Sequence, residues 1–290
     1  MSVNWFPGHM AKALREMKTI LGQVDLIIET CDARIPRSSR NPELKRLAPQ
    51  KPLILVLNKA DLSDPAVTKA WLEYYKEKHV HAIACDSIRR TGLNQLNQLA
   101  LSLTREKIDQ AAARGRRFRP IRLLVAGIPN TGKSTLINAF SKRKAAKTAD
   151  KPGLTRQLSW TRTGGQFELL DSPGVLWPKI ESDVDQWHLA ATGAIRDDLL
   201  ATEEIAFSLW KQLLEQYPDA TLARYQIDTI DEDPIISFEQ AARNRGCLKA
   251  GGTVDLNRFS SVLIDEFRGG QIGRISLESP VLQIKSEKNR

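Results

Sequence analysis

A glycine-rich loop that contains a lysine and a serine carries the clearest chemical signal in this sequence. The pattern G-x-x-x-x-G-K-[ST] is met by Gly127–Ser134, between an apolar run that predicts a buried strand and a segment that predicts a helix. In such a loop, backbone N–H groups surround phosphate oxygens, Lys133 reaches the β- and γ-phosphates, and the Ser134 hydroxyl binds Mg²⁺. We therefore predict a catalytic role for Lys133 and nucleotide contacts from Asn130, Thr131, Gly132, Lys133, Ser134 and Thr135.

A second motif, Asp171-Ser172-Pro173-Gly174, follows another predicted strand. Asp171 can hold Mg²⁺ through water, and the Gly174 N–H can reach a γ-phosphate, so this loop can distinguish a triphosphate from a diphosphate. Between the two motifs, Thr155 is the natural switch residue, because its hydroxyl would complete the Mg²⁺ shell only in the triphosphate state. Thr148 is a competing candidate. The predicted metal ligands are Ser134, Thr155 and Asp171, and Thr155 is also counted as catalytic.

The tetrapeptide Asn58-Lys59-Ala60-Asp61 predicts which base is bound. An aspartate carboxylate accepts two hydrogen bonds from the N1–H and 2-amino groups of guanine, an edge that adenine lacks, so GTP is favoured over ATP. Lys59 can lay its methylene groups on the base. A second base contact is predicted from Cys85, Asp86 and Ser87, although the usual G-protein loop reads Ser-Ala-Lys. The predicted cofactors are GTP or GDP with Mg²⁺.

The order of these motifs along the chain is unusual. Ordinary G domains run from the phosphate loop through the switch threonine and D-x-x-G to N-K-x-D, whereas here Asn58–Asp61 precedes Gly127–Ser134. The same parts in rotated order predict a circular permutation, with a basic connector at residues 111–120 joining the former ends. The D-x-x-G motif then leads directly into the C-terminal part of the chain, which the γ-phosphate state could therefore move.

The elements that position these motifs alternate between strand and helix patterns up to about residue 180, which predicts an α/β sheet covered on both faces. From about residue 183 only helix patterns occur. Residues 36–42 are expected to form a loop, Thr202 and Asp255 to cap helices, and Ser237 with Gln240 to form a capping box. The predicted domains are 1–180 and 181–290.

Composition excludes several other classes. The 290 residues are 41% hydrophobic and 27% charged, without an apolar run long enough to span a membrane, so we expect no membrane partner. Three widely spaced cysteines argue against disulfides and zinc, and for a reducing compartment. The N-terminus has neither a signal nor a transit pattern, so a bacterial cytoplasmic location is expected rather than a mitochondrial one.

The charge is unevenly distributed along the chain. The net charge is +9, made up of +16 in residues 1–180, −11 in residues 181–240 and +4 in residues 241–290. Basic surfaces favour polyanions, because binding releases counterions. The basic clusters Arg114–Arg122 and Lys142–Lys151 are therefore predicted to contact nucleic acid, although for any single lysine or arginine ordinary solvated charge is the simpler interpretation.

Taken together, the motifs resemble those of the circularly permuted GTPases of ribosome assembly. The resemblance covers nearly the whole chain and includes Trp5-Phe6-Pro7-Gly8-His9-Met10, Asp32-Ala33-Arg34-Ile35-Pro36, Arg40-Asn41-Pro42, Arg245-Gly246, Gly251-Gly252, Asp255 and Phe267-Arg268. It implies an α/β fold class: a circularly permuted Ras-like P-loop GTPase domain followed by a small all-helical domain that binds RNA. The implied partners are a large ribosomal subunit precursor and its rRNA, with no DNA.

The resemblance leaves the residue that orients the attacking water unassigned. Ras-like sites place a glutamine directly after D-x-x-G to orient the attacking water, and here Val175 occupies that position. The resemblance makes His9 a candidate replacement, since a neutral imidazole can accept a proton from water; an RNA contact or a packing role for His9 is an equal alternative. Asn130 could help to bind K⁺ near the phosphates, or could simply tolerate a strained turn.

We therefore expect a GTPase that binds an assembling large ribosomal subunit and promotes a late maturation step, hydrolysing GTP on the subunit. The alternative is a GTPase of RNA modification or translational regulation that is not resident on ribosome precursors.

Overall fold

The structure is a computed structural model that describes residues 15–115, 119–141, 159–163, 165–176, 180, 182–195 and 201–280. His9, Thr148, Thr155 and the segment Lys142–Lys151 lie outside these described residues. Their assignments therefore stay predictions.

The first part of the chain forms a six-stranded sheet with the order β3-β2-β1-β4-β6-β5. Every neighbouring pair is parallel except β5 with β6, which is antiparallel. The elements are β1 (Leu26–Asp32), α1 (Pro42–Leu47), β2 (Leu53–Asn58), α2 (Pro65–Glu77), β3 (His81–Ala84), α3 (Leu93–Ala113), β4 (Ile121–Gly127), α4 (Lys133–Ser141), β5 (Ser159–Arg162) and β6 (Phe167–Asp171).

The two faces of this sheet bury different sets of side chains, as the alternation of a strand requires. Leu26 and Ile28 of β1 lie in a cluster with residues of α3 and α4, such as Leu96 and Leu136. Ile27, between them, faces the opposite side and belongs to a cluster that continues into the C-terminal helices. Helices therefore cover both faces, which confirms the predicted α/β class.

The position of β4 explains how the motif order can be rotated without disturbing the site. β4 pairs with β1 on one side and with β6 on the other, so strands that precede it in the chain lie on one side of it. The carboxyl ends of the parallel strands lie at one edge of the sheet, where ligands of such folds bind. The phosphate loop after β4 therefore meets both the N-K-x-D loop after β2 and the D-x-x-G loop after β6, and the permuted order is confirmed.

The second part of the chain is helical. Its elements are α5 (Asp183–Ala191), α6 (Thr202–Gln216), α7 (Pro218–Tyr225), α8 (Pro234–Asn244) and α9 (Leu256–Arg268). One hydrophobic cluster runs from the sheet face through Val175 and Ile180 into these helices, so the two parts share a core. The domain division at residue 180 stays a prediction. No helix in the described ranges combines the length and the apolar character that a membrane crossing requires.

Two expectations about helix caps were wrong. Helix α8 begins at Pro234 and is capped by Asp233, whose side chain accepts a hydrogen bond from the Ile235 N–H. Ser237 therefore lies inside the helix. Its side chain is buried, and its hydroxyl accepts a hydrogen bond from the indole N–H of Trp210. Helix α6 does begin at Thr202, but without a side-chain cap. The loop expected at residues 36–42 is present over residues 36–41, and only Pro42 belongs to the short helix α1, which Asn41 caps.

Trp210 lies at the centre of the helical core and gives a test of its packing. The ring is fully buried, donates to the Ser237 hydroxyl at 3.1 Å, and meets Tyr225, Phe238 and Phe259 edge to face. Trp210→Ala should therefore lower the free energy of unfolding by about 3–5 kcal/mol, measured by urea denaturation. The control Ile236→Ala, at a position that is 51% exposed, should change it by less than about 1 kcal/mol.

Candidate nucleotide-binding site

The phosphate loop is fixed to the neighbouring strand by two threonines. The hydroxyls of Thr131 and Thr30 share a buried hydrogen bond of 2.7 Å, and the Thr131 hydroxyl also contacts the Ile128 carbonyl at 3.0 Å. Gly127 has a φ of 151°, and a Cβ there would lie 2.5 Å from the Thr30 carbonyl oxygen. The first glycine of the motif is therefore required by the close approach of β1.

Lys133 is folded back onto the loop that precedes it. Its Nζ donates to the Ile128 carbonyl at 2.7 Å and is buried. Burial lowers the pKa of Lys133 to about 8, against the opposing effect of the Asp171 carboxylate. Gly174 sits directly on the same loop: a Cβ there would lie 2.8 Å from the Pro129 backbone and 3.1 Å from the Lys133 Nζ. The D-x-x-G loop and the phosphate loop are thus in contact.

Ser134 and Asp171 come together at the position predicted for Mg²⁺. The Ser134 hydroxyl donates to Asp171 Oδ2 at 3.3 Å. The other oxygen, Asp171 Oδ1, is buried and has no hydrogen-bond partner among the described residues. Burial raises the pKa of Asp171, and the nearby Lys133 charge and the Ser134 hydroxyl offset this effect only in part. An oxygen donor set with an unpartnered carboxylate oxygen fits a hard divalent cation such as Mg²⁺.

Asn58 joins three loops through one side-chain amide. It donates to the Thr131 carbonyl at 2.9 Å and accepts from the Ser87 hydroxyl at 2.7 Å. Gly132, with a φ of 85°, permits this contact, since a Cβ there would lie 2.2 Å from Asn58 Nδ2. The structure therefore brings Asn58, Thr131, Gly132 and Ser87 together, with the Asn58 amide linking the loops that carry them. Their contacts with the nucleotide stay predictions.

Lys59 and Asp61 have different surroundings. Lys59 has a φ of 58°, and its Nζ lies 3.1 Å from Asp32, which also pairs with Arg34 at 2.8 Å. Burial opposes ionisation of Asp32, yet Arg34 and Lys59 together hold its pKa well below the usual range. Asp61 is half-buried and has no hydrogen-bond partner within the described ranges. Its carboxylate is therefore available to accept hydrogen bonds from a base.

Cys85 and Asp86 support the loops through the backbone. The Cys85 carbonyl accepts from the Ala60 N–H at 3.1 Å, and burial raises the pKa of its thiol to about 12. The Asp86 carboxylate accepts from the N–H groups of Ile88 and Arg89, each at 2.9 Å, and closes the turn. Direct contacts of Cys85, Asp86 and Ser87 with the base stay predictions, as does the predicted role of Thr135, a half-buried residue in the first turn of α4.

The helical part reaches the phosphate loop through a contact that sequence reasoning missed. Asn130 has a φ of 59°, and its side-chain amide donates to the Gly193 carbonyl at 2.6 Å, just after α5. Arg268 of α9 holds the same helix end, donating to the carbonyls of Ala190 and Ala191 at 2.7 and 3.0 Å. Neither pair is visible in the sequence, because the residues are more than 60 positions apart in the chain.

Thr30 and Asp32 were also missed as site residues. The signal that could have found them is polarity, because β1 carries Glu29, Thr30 and Asp32 in an otherwise apolar strand. Val175, directly after D-x-x-G, has its side chain buried in the core, and its N–H donates to the Gly127 carbonyl. The side chain of Val175 therefore cannot orient a water molecule.

These loops define a circularly permuted P-loop GTPase. A family model described as "50S ribosome-binding GTPase" matches residues 122–236. The chain is 42% identical to "Ribosome biogenesis GTPase A" of Bacillus cereus, over 97% of this chain and 95% of that protein. It is 32% identical to "Mitochondrial ribosome-associated GTPase 1" of Xenopus tropicalis, over 95% and 94%.

A solved structure agrees with these relatives. The GNP-bound YlqF from T. maritima superimposes with a TM-score of 0.67 at 26% identity, covering 93% of this chain and 98% of that one. The chain therefore belongs to the ribosome biogenesis GTPase A family. It binds guanine nucleotide and hydrolyses GTP.

The lowered pKa of Lys133 predicts a pH dependence of stability in the nucleotide-free protein. Between the folded pKa of about 8 and the ordinary value of 10.5, the unfolded chain binds a proton that the folded chain has released. The free energy of unfolding should therefore rise with pH in this window. Relative to Lys133→Met, the unmodified protein should gain about 2 kcal/mol between about pH 7.5 and about pH 10, measured by urea denaturation. A difference between the two that does not change with pH would contradict this electrostatic picture.

Proposed function

We propose that this GTPase binds the assembling large ribosomal subunit, promotes a late maturation step, and hydrolyses GTP to GDP and phosphate on the subunit. The main support for the proposal is the large share of the chain that aligns with its relatives. Relatives named for ribosome biogenesis align with 97% of this chain, so the helical part is shared as well as the nucleotide loops. The family name of residues 122–236, which refers to the 50S ribosome, supports the same partner.

Each residue of the site has a role in this reaction. Lys133 is positioned to leave the Ile128 carbonyl and place its charge on the β- and γ-phosphates. Ser134 and Asp171 would hold Mg²⁺, which when bound neutralises charge on the phosphate oxygens. Asp61 accepts hydrogen bonds from guanine, and Gly174 offers its N–H to the γ-phosphate. Thr155, outside the described residues, is proposed to complete the metal shell.

The attacking water needs a partner other than Val175. We propose His9 for this role, with an RNA contact as the alternative. His9 lies outside the described residues. For K⁺, the structure adds a constraint, because the Asn130 amide already donates to the Gly193 carbonyl. A K⁺ site beside Asn130 would therefore have to form while the helical part holds this side chain.

The surface that contacts rRNA is proposed to lie on the helical part. Within the predicted cluster Arg114–Arg122, Arg119 pairs with Asp25 at 2.8 Å and Arg122 pairs with Glu168 at 3.1 Å, so intramolecular carboxylates already offset these charges. By contrast, exposed basic side chains surround the turn between α8 and α9, at Arg243, Lys249 and Arg258. Exposed basic side chains favour phosphate contacts, because binding releases counterions from the nucleic acid.

Sedimentation tests the proposed partner. The protein should co-sediment with a large-subunit precursor in the presence of a non-hydrolysable GTP analogue, and should be released with GDP. Lys249→Glu with Arg258→Glu should weaken this association at least about 10-fold and flatten its dependence on salt, because two phosphate contacts are lost.

The matched control is Lys69→Glu with Lys76→Glu, two exposed lysines of α2. These changes should leave association unaltered. Absence from ribosomal fractions in both nucleotide states would favour the alternative, a GTPase of RNA modification or translational regulation.

Asp61→Asn tests the base assignment. The change replaces an acceptor oxygen with a donor amide, so GDP and GTP should bind at least about 100-fold more weakly. Xanthosine diphosphate should bind better than in the unmodified protein, because its 2-position carries an acceptor. Equilibrium titration with fluorescent nucleotides measures both affinities. An unchanged preference for guanine would show that Asp61 does not read the base.

A further inference from the structure

The chain that follows α9 returns to the nucleotide-binding part and covers one loop of it. We call residues 269–278 the C-terminal strap, and residues 59–64, which join β2 to α2 and include Asp61, the guanine loop. Arg274 donates through Nη2 to the Ala60 carbonyl at 2.8 Å and through Nε to the Ser63 carbonyl at 2.9 Å. These two carbonyls lie on either side of Asp61 in the sequence.

Two further strap groups bond to the same loop. The Ile275 N–H donates to the Leu62 carbonyl at 3.0 Å, and the Ser276 hydroxyl accepts from the Asp64 N–H at 3.1 Å. Four backbone groups within five residues of the guanine loop are therefore held by a segment more than 200 positions away in the chain. A loop between a strand and a helix has no regular partners for its polar groups, so these bonds help to determine its conformation, together with the bonds from the Ala60 N–H to the Cys85 carbonyl and from the Leu62 N–H to the Lys59 carbonyl.

The strap itself is held firmly. The side chains of Ile272, Ile275 and Leu277 are buried in the shared hydrophobic cluster. The Leu277 N–H donates to the Arg34 carbonyl at 2.9 Å, and the Trp71 indole donates to the Glu278 carbonyl at 3.0 Å. The backbone on both sides of Arg274 is thus fixed before its side chain reaches the loop, which limits the entropy lost when the guanidinium is ordered.

We propose that Arg274 is a positioning residue for guanine recognition, acting through the backbone of the guanine loop. A planar guanidinium donates in two fixed directions and can hold the Ala60 and Ser63 carbonyls at a set separation. That separation determines where the Asp61 carboxylate stands, and a misplaced carboxylate loses the two hydrogen bonds to the base. The inference rests on the proposed assignment of Asp61 to guanine.

The test compares GDP with inosine diphosphate, which keeps N1–H but lacks the 2-amino group. Arg274→Ala should raise the Kd for GDP about 10-fold and the Kd for inosine diphosphate less, so that discrimination between the two falls at least about 3-fold. The value of kcat at saturating GTP should not change, because Arg274 does not contact the phosphate loop. Arg274→Lys, which keeps one donor group, should be intermediate.

The control is Arg105→Ala, an exposed arginine of α3 that makes none of the bonds to the guanine loop. It should bind both diphosphates as the unmodified protein does. Equal weakening of GDP and inosine diphosphate by Arg274→Ala, or no weakening of either, would overturn the proposal. If Arg274→Ala does not fold, as judged by circular dichroism, Arg274→Lys supplies the same comparison.

Failure of this proposal can be told apart from failure of the Asp61 assignment. The Asp61 assignment is judged by the response of Asp61→Asn to xanthosine diphosphate, whereas the Arg274 proposal is judged by the ratio of the two affinities in a chain that retains Asp61.

Discussion

One side-chain amide, that of Asn58, connects the parts of the nucleotide site. It donates to the backbone of the phosphate loop and accepts from Ser87, so three loops that follow three different strands share one set of hydrogen bonds. The bond forms because β4 lies beside β1 at the centre of the sheet and Gly132 leaves room for the amide. These hydrogen bonds depend on which strands are neighbours in the sheet and not on the order of the strands in the chain. The permuted connectivity therefore preserves the site.

The charges at the site are only partly compensated within the protein. Asp32 is satisfied by Arg34 and Lys59, and its pKa is held low. Burial instead raises the pKa of Asp171 and lowers that of Lys133, so each charged form is disfavoured in the folded chain. A buried lysine and a buried carboxylate in this condition are stabilised by ligands that bring phosphate and a cation. A metal ion beside Asp171 and phosphate beside Lys133 would therefore offset the cost of burying these two charges.

The helical part is attached to both nucleotide loops. It reaches the phosphate loop through Gly193 and Asn130, and the guanine loop through the strap that follows α9. It also shares one hydrophobic cluster with the sheet through Val175, the residue directly after D-x-x-G. Elements of the helical part are therefore in direct contact with both nucleotide loops.

The sequence by itself determined the local chemistry of the protein. Motif residue types and their flanking apolar runs predicted the phosphate loop, the D-x-x-G loop, the guanine motif, the permuted order and the α/β class, because these features depend on short spacings. It failed at Ser237, where a capping pattern was overridden by burial against Trp210.

Only the tertiary structure showed the contacts of Thr30 with Thr131, of Asn130 with Gly193, and of Arg274 with the guanine loop. Each joins residues far apart in the chain through one or two hydrogen bonds. Such a contact leaves no periodic pattern along the sequence, because its geometry is set by how the sheet and helices pack.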